Sequence, residues 1–307
     1  MSAPVCVANA PCSYGIFDEG YSVAPNVPAP ETVLADVRAA GYEGIDLGPP
    51  VFLGEGAVLD ERLRRHALAL AGAYVELPLA DRDAMPAALD ALERRLDALE
   101  APRTTNGAPQ PRPTLADTGS AARAGSVGRA AADRAFGWDD TQWAVVAESV
   151  AIAIARCRRR GFEPTFHPHA GTHVEAAWEI ERLMAVSNVG LCLDTGHLPV
   201  GGADVLDVVR RFAPRINHVH LKDVRGDVLA GLLADRPPVY DMWARGTFCA
   251  LGEGIVPVAD VLATLAGAGY RGWIVVEQDV LPEDAGALAA AIGAQPGNRE
   301  RLRALGV

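Results

Sequence analysis

The 307-residue sequence has few aromatic residues and no long hydrophobic run. Phe, Trp and Tyr make up 6% of it, so Ala, Leu and Val must do most of the packing in a chain that is 50% hydrophobic. No apolar stretch approaches the roughly 20 residues that span a bilayer. The N-terminal segment also lacks the basic start and apolar run of a signal peptide. We therefore expect a cytoplasmic protein that does not bind membranes.

Cysteines are few, and basic residues are outnumbered. The five cysteines are widely and irregularly spaced and form no CxxC pair, which argues against a disulfide framework and against a structural cysteine–zinc site. The formal net charge is -11, and the basic residues do not gather in one stretch. Because an acidic surface repels phosphate backbones, we expect no nucleic-acid partner.

Short apolar runs typical of strands alternate with longer helical runs along the chain. The predicted strands cover residues 5–9, 44–47, 73–77, 113–116, 164–167, 189–194, 216–221 and 273–277. The predicted helices cover residues 29–40, 59–70, 85–99, 141–160, 173–185, 204–212, 256–268 and 282–305. Such alternation indicates a parallel sheet, and eight strand–helix units are the number that closes a barrel.

The predicted fold is a single (β/α)8 TIM barrel over residues 1–307, with long loops at about 101–140. A doubly wound open sheet is the rival, but it usually carries a glycine-rich phosphate loop after its first strand. The segment here reads ANAPCSYG and does not match that loop. The stretch 101–140, rich in Pro, Gly and Ala, is either a lid or subunit contact or a disordered surface loop.

Histidines are concentrated where the predicted strands of the second half end. Six of the seven lie between positions 167 and 220, and the other is His66. In TIM barrels the active site lies at the carboxyl ends of the strands, so polar residues there are site candidates. The candidate ligands that follow or end four successive strands are His167, Asp194, His220 and Glu277.

These four side chains predict one divalent metal site. Imidazole and carboxylate groups are usual ligands of first-row divalent ions, and two carboxylates would neutralise the ion's charge. Mn2+ or Co2+ is favoured, with Mg2+, Zn2+ or Fe2+ as alternatives. Each residue alone has an ordinary reading, such as a hydrogen-bonded histidine or an aspartate that caps a turn. Their occurrence on consecutive strands favours a shared site.

Four motifs and two flanking segments carry a family resemblance. The motifs are HPHAGTHVE, LCLDTGHL, HVHLKDVR and YRGWIVVEQD, and the segments are GYEGIDLGPPVFL and GTFCALGEGIVPV. Together they resemble the sugar phosphate isomerase/epimerase superfamily of xylose-isomerase-like barrels, and within it the inosose (2-keto-myo-inositol) dehydratases. The resemblance implies metal binding at Asp194, His220 and Glu277. His167 stands where the epimerases have glutamate, a departure that disfavours symmetric epimerisation and suits a lyase.

Other polar residues receive candidate roles. His169 and Glu277 are candidate bases, because each lies at a strand end and can accept a proton. Lys222 is expected to bind or protonate a substrate oxygen, the alternative being an ion pair with Asp223 or Glu253. The remaining candidates for substrate contact are Tyr14, His197 and Arg225, with the role of His197 taken from the resemblance.

The sequence thus predicts a metal-dependent lyase that dehydrates a cyclic keto-polyol by enolate-based β-elimination. Two enzymatic alternatives stay open: a sugar or ketose isomerase or epimerase, and a lyase acting on 3-keto-glycosides. A catalytically silent sugar-binding barrel is the non-enzymatic alternative. The expected partner is a small keto-polyol or sugar, and assembly into a homo-oligomer is expected from barrels of this group.

Overall fold

The structure, a computed structural model, describes residues 5–17, 27–100, 107–282 and 284–307. Its strands are β1 (Val5–Asn9), β2 (Gly44–Ile45), β3 (Ala69–Leu70), β4 (Gly72–Leu77), β5 (Arg112–Asp117), β6 (Thr165–Phe166), β7 (Gly190–Asp194), β8 (Ile216–Leu221), β9 (Asp223–Val224), β10 (Phe248–Cys249) and β11 (Gly272–Val276). Nine of them form one parallel sheet in the order β3-β2-β1-β11-β8-β7-β6-β5-β4, and β9 and β10 form a small antiparallel sheet.

The sheet closes into a barrel because β3 and β4 are two halves of one bent strand. At the bend, Ala71 donates its N–H to the carbonyl of Ile45 and accepts a hydrogen bond from the N–H of Arg112. One residue therefore links the strand before it to the strand after it. When β3 and β4 are counted as one strand, the barrel has the eight strands of the predicted TIM barrel. The predicted fold class is confirmed.

Helices follow the strands and cover the barrel. They are α1 (Pro30–Ala40), α2 (Gly56–His66), α3 (Met85–Glu100), α4 (Ala121–Ala124), α5 (Asp140–Arg159), α6 (Ala177–Val186), α7 (His197–Val200), α8 (Val205–Phe212), α9 (Gly226–Asp235), α10 (Tyr240–Ala244), α11 (Val258–Gly267) and α12 (Ala285–Ala304). Among the described helices, none combines the length and hydropathy needed to cross a membrane. The strands are buried on both faces, as expected for a sheet enclosed by helices.

Two predicted helix boundaries are wrong by four residues. The helix predicted over 59–70 ends at His66, because Ala67 adopts a left-handed conformation (φ 50°) and the chain then enters β3. The helix predicted over 173–185 begins only at Ala177. There the Glu179 carboxylate accepts the backbone N–H groups of Glu175 and Ala176 and so caps the helix start.

The predicted loop region 101–140 is largely structured where it is described. Residues 101–106 lie outside the described part of the chain, and β5 covers the predicted fourth strand. After β5, the buried Arg123 binds both oxygens of Glu179 at 2.8 and 2.9 Å and lies 3.4 Å from Glu175. This ion-pair cluster ties the segment after β5 to the start of α6.

Candidate active site

Four adjacent strands bring the predicted metal ligands together. His167 follows β6, Asp194 ends β7, His220 lies on β8 and Glu277 follows β11, and these strands are neighbours in the sheet. His167 Nε2 is 3.1 Å from Asp194 Oδ2, and His220 Nδ1 is 3.1 Å from Glu277 Oε2 and 3.7 Å from Asp194 Oδ2. Asp194 therefore lies between His167 on one side and His220 with Glu277 on the other, and all four side chains are buried.

The donor chemistry of this cluster fits a divalent cation. Ligating atoms of Asp194, His220 and Glu277 all lie within 4.8 Å of one another, and all three residues are buried. Asp194 uses its two oxygens differently: Oδ1 accepts the backbone N–H groups of Gly196 and His197, while Oδ2 faces the cluster. Neither ring nitrogen of His220 makes a hydrogen bond of acceptable geometry within the described residues. Such nitrogens, with two carboxylates, are suitable ligands for a first-row metal ion.

Lys222, the only lysine of the chain, is buried beside these carboxylates. Its Nζ donates to Asp279 Oδ2 at 2.9 Å, and it lies 3.0 Å from Glu277 Oε2 and 3.2 Å from Asp194 Oδ2. Burial opposes its charged form, but the three carboxylates hold the pKa of Lys222 well above its ordinary value. The alternative pairing with Asp223 or Glu253 is not what the structure shows, because Asp223 accepts backbone N–H groups of the loop 252–256 instead.

The two histidines next to Lys222 differ in position: His169 lines the cavity, and His197 lies behind Lys222. His169 lines the cavity, and its Nδ1 donates to the carbonyl of Ala170 at 2.9 Å, which leaves Nε2 as the acceptor nitrogen. Burial, together with the positive charge that His167 would carry, lowers the pKa of His169 to about 3, so its imidazole is neutral near pH 7. His197 lies behind Lys222 and accepts a hydrogen bond from it at 3.1 Å.

The site opens into a cavity of about 160 Å³ at the carboxyl end of the barrel. Its lining includes both aromatic rings and acidic groups. Trp243, on α10, packs against Phe17 with ring centroids 5.6 Å apart, and its Nε1 donates to Asp279. The remaining lining residues include Asp46, Tyr74, Glu76, His167, His169, His220, Lys222, Glu277 and Asp279.

Several of these lining residues were missed by the sequence analysis. Asp46 follows β2 and Glu76 lies on β4, so the strand-end rule that found the second-half residues would have found them too. Tyr74 is also on β4. Trp243 and Phe17 had no signal in the sequence, because they reach the cavity from a short helix and a loop.

Three predicted substrate contacts lie outside the described cavity lining. His197 is one of them, because it lies behind Lys222 and supports it. Tyr14 is fully buried in the hydrophobic core and is not part of the cavity lining, because the 3-10 helix Pro11–Tyr14 turns its ring inward. Arg225 is exposed, and its guanidinium donates to the carbonyls of Gly246 and Phe248. It therefore supports the antiparallel β9–β10 pair rather than lining the site.

Comparison with known proteins supplies the family. The model described as "Xylose isomerase-like TIM barrel" matches residues 34–294, which is most of the chain. The chain belongs to this family. It is 34% identical to the rhizopine catabolism protein MocC of Rhizobium meliloti over 263 residues, covering 85% of this chain and 78% of MocC. The resemblance seen in the sequence motifs is thereby confirmed.

Several relatives and structural neighbours of this chain bear the names of enzymes. The inosose dehydratase of Geobacillus kaustophilus is 38% identical over 146 residues, a match that spans 47% of each chain, so the chain covers only about half of that relative. Among solved structures, the probable 3-DHS dehydratase AsbF of Bacillus anthracis superposes with a TM-score of 0.67 at 14% identity, covering 97% of this chain and 98% of AsbF. A D-allulose 3-epimerase of Methylomonas sp. superposes with a TM-score of 0.66 at 16% identity over 99% of this chain and 100% of the other. The protein is therefore an enzyme, while the two superpositions support the fold alone.

Proposed function

We propose that this family member removes water from a neutral cyclic keto-polyol of the inosose type, in a reaction that depends on one divalent cation. The observation that carries the proposal is the convergence of two imidazoles and two carboxylates beside a charged lysine at the floor of a ring-sized cavity. Inosose dehydratases, one of them 38% identical over 146 residues, give the substrate class.

The residues that would hold the cation are His167, Asp194, His220 and Glu277. A divalent ion bound there supplies Lewis acidity to the ketone oxygen of a substrate, which makes the neighbouring C–H bond more acidic. Mn2+ and Co2+ suit this mixture of nitrogen and oxygen donors. The work of proton transfer falls to side chains of the chain itself.

His169 is the proposed base. Its neutral imidazole lines the cavity, and the hydrogen bond from Nδ1 to Ala170 leaves the lone pair on Nε2 free to take the proton next to the ketone. Glu277 is the competing base, but its carboxylate is already placed among the cation ligands. Removal of the proton by His169 leaves the electron pair that forms the new carbon–carbon double bond.

Lys222 is the proposed acid. Its ammonium lines the cavity, and His197 and Asp279 fix its position by hydrogen bonds. It gives a proton to the hydroxyl on the carbon β to the ketone, and the C–O bond breaks with release of water. One C–H and one C–O bond break, one carbon–carbon double bond forms, and one water leaves. His169 then releases its extra proton to solvent and Lys222 takes one up, which restores both side chains.

The size and charge of the cavity support a small neutral ring. Cavities of about 150 Å³ accept a single six-membered ring, and this one measures about 160 Å³. Lys222 is the sole basic side chain, apart from histidines, among the described residues that line it, whereas Glu76 and Asp279 are acidic. This balance disfavours phosphorylated substrates. The small volume of the cavity also favours an inosose over a 3-keto-glycoside, which has a second group attached to its ring.

The decisive experiment is an assay of chelator-treated protein with 2-keto-myo-inositol, with and without Mn2+ or Co2+. We expect metal-dependent absorbance of a diketone and loss of one water by mass spectrometry. If the enzyme is instead an epimerase, reaction in D2O will introduce deuterium at carbon without any loss of water. Absence of turnover with every divalent metal tested would refute the dehydratase assignment.

A further inference from the structure

A second cluster of three ionisable side chains shares His220 with the site just described. Asp46 follows β2, and His218 and His220 alternate along β8, so both imidazoles point to the same face of the strand. All three residues are buried, and their ligating atoms lie within 4.8 Å of one another. The proposed reaction uses neither Asp46 nor His218.

The polar atoms of this cluster lie close together but form no hydrogen bonds with one another within the described chain. Asp46 Oδ1, both ring nitrogens of His218 and Nε2 of His220 have no hydrogen-bond partner within the described chain. Asp46 Oδ2 lies 3.5 Å from His220 Nε2, too far for a good hydrogen bond. Tetrahedral coordination with bonds of about 2.0–2.2 Å puts neighbouring ligand atoms about 3.3–3.6 Å apart, so this spacing fits two ligands of one ion.

The charge around the cluster favours a cation as well. Three buried carboxylates, those of Asp194, Glu277 and Asp279, surround the ammonium of Lys222, and a fourth, that of Asp46, faces His220. One divalent ion at the site described above leaves negative charge in excess, and buried charge must be compensated. A second divalent ion next to Asp46 offsets that excess and leaves a small positive charge.

We propose that Asp46, His218 and His220 form a second cation site, here called the inner site. His220 serves both sites, because its Nδ1 faces Glu277 while its Nε2 faces Asp46. Two imidazoles and one carboxylate from the protein are a ligand set that Zn2+ accepts, whereas Mg2+ and Ca2+ prefer oxygen ligands. Asp46 and His220 line the cavity, which gives an ion a path to the inner site.

The test is metal stoichiometry. Chelator-treated protein is saturated with Zn2+, freed of excess metal by gel filtration and measured by mass spectrometry of the element. We expect two equivalents in the wild type and one in His218→Leu. The control His66→Leu, which alters a histidine bonded to Glu31 on α1, keeps two. Asp46→Asn serves as a second variant if His218→Leu does not fold, and it too is expected to hold one.

The outcomes separate the two sites. One equivalent in the wild type that Glu277→Gln abolishes and His218→Leu retains would overturn the inner site and leave the proposed function intact. Two equivalents in both His218→Leu and Asp46→Asn would also overturn it. Anomalous scattering at the zinc edge gives a direct check, with one peak expected on each side of the His220 ring.

Discussion

Lys222 and Asp279 form a buried ion pair, with Nζ and Oδ2 2.9 Å apart, at the floor of the cavity. The pair comes from two neighbouring strand ends, since Lys222 follows β8 and Asp279 follows β11. It holds the only lysine of the chain against the acidic side of the site. Because both partners are buried, loss of Lys222 would leave the Asp279 carboxylate without its cation, whereas Lys222 without Asp279 would keep Asp194 and Glu277 as partners.

Lys222→Met is expected to lower kcat by about 10²–10⁴-fold, because it removes the proton donor for the departing hydroxyl. Mn2+ binding is expected to persist, since the ammonium competes with a cation for Asp194 and Glu277. Steady-state kinetics and Mn2+ titration followed by electron paramagnetic resonance measure the two effects. Arg64→Met on the surface of α2 is the matched control. Full activity of Lys222→Met would remove this residue from the mechanism.

Glu277→Gln is expected to raise the Kd for Mn2+ by more than about 100-fold, because even supporting residues of a metal site change affinity by 10–100-fold. The amide keeps the shape of the side chain and removes its charge. Isothermal titration calorimetry measures the Kd. Glu253→Gln, at an exposed turn, provides the same chemical change away from the site. Equal affinities in the two variants would mean that Glu277 is not a ligand.

Arg123→Met is expected to destabilise the protein by about 3–5 kcal/mol, because it leaves Glu175 and Glu179 buried without their cation. Arg129→Met lies in the same segment, but its pair with Asp133 is exposed, and its effect is expected to stay within about 1 kcal/mol. Urea denaturation measures both free energies of unfolding. Similar small losses in both variants would show that the buried cluster does not anchor this segment.

Glu175 makes stability depend on pH. Burial raises its pKa from 4.5 to about 7, although hydrogen bonds from Gly171 and Gly128 oppose the shift. Between these values the folded state keeps a proton that the unfolded state has lost. The free energy of unfolding therefore falls as pH rises from about 4.5 to 7, and the contribution is constant outside that window.

Glu175→Gln is expected to remove this part of the pH dependence, since the amide oxygen can still accept from the two glycines but the group does not titrate. Thermal unfolding across pH 4–8 checks the prediction as a difference between variant and wild type. Glu148→Gln, at an exposed position of α5, is the control. A difference between Glu175→Gln and wild type that does not change with pH would contradict it.

The barrel could be predicted from the sequence, and the positions of the proposed ligands could be found, because both follow from local patterns. Buried parallel strands are continuous apolar runs, and the residue that ends each run lies at the same rim of the barrel. His167, Asp194, His220 and Glu277 were found by that rule. The position of Tyr14 depends on how a short 3-10 helix is oriented, and that of Arg225 on how the antiparallel β9–β10 pair is placed. Sequence periodicity encodes neither. Trp243 was missed for the same reason.

The helix boundaries failed for a related physical reason. Leu68 and Leu70 continue the apolar pattern of α2, yet they belong to the stretch that enters and forms β3. A buried strand and the buried face of a helix have the same composition over four residues, so periodicity alone could not place the change. The left-handed conformation of Ala67 ends the helix at this point, and an alanine in the sequence does not predict such a conformation.

The four proposed ligands come from strands that lie far apart in the chain, from His167 to Glu277. The unfolded chain therefore has no preformed binding site for an ion. An ion that binds only the closed barrel draws the folding equilibrium toward closure, by about 1.4 kcal/mol for each tenfold excess of free metal over its Kd. The unfolding temperature then reports the concentration of free metal around the protein. A low metal concentration would reduce the fraction of folded molecules before it reduced the turnover rate of a molecule that stays folded.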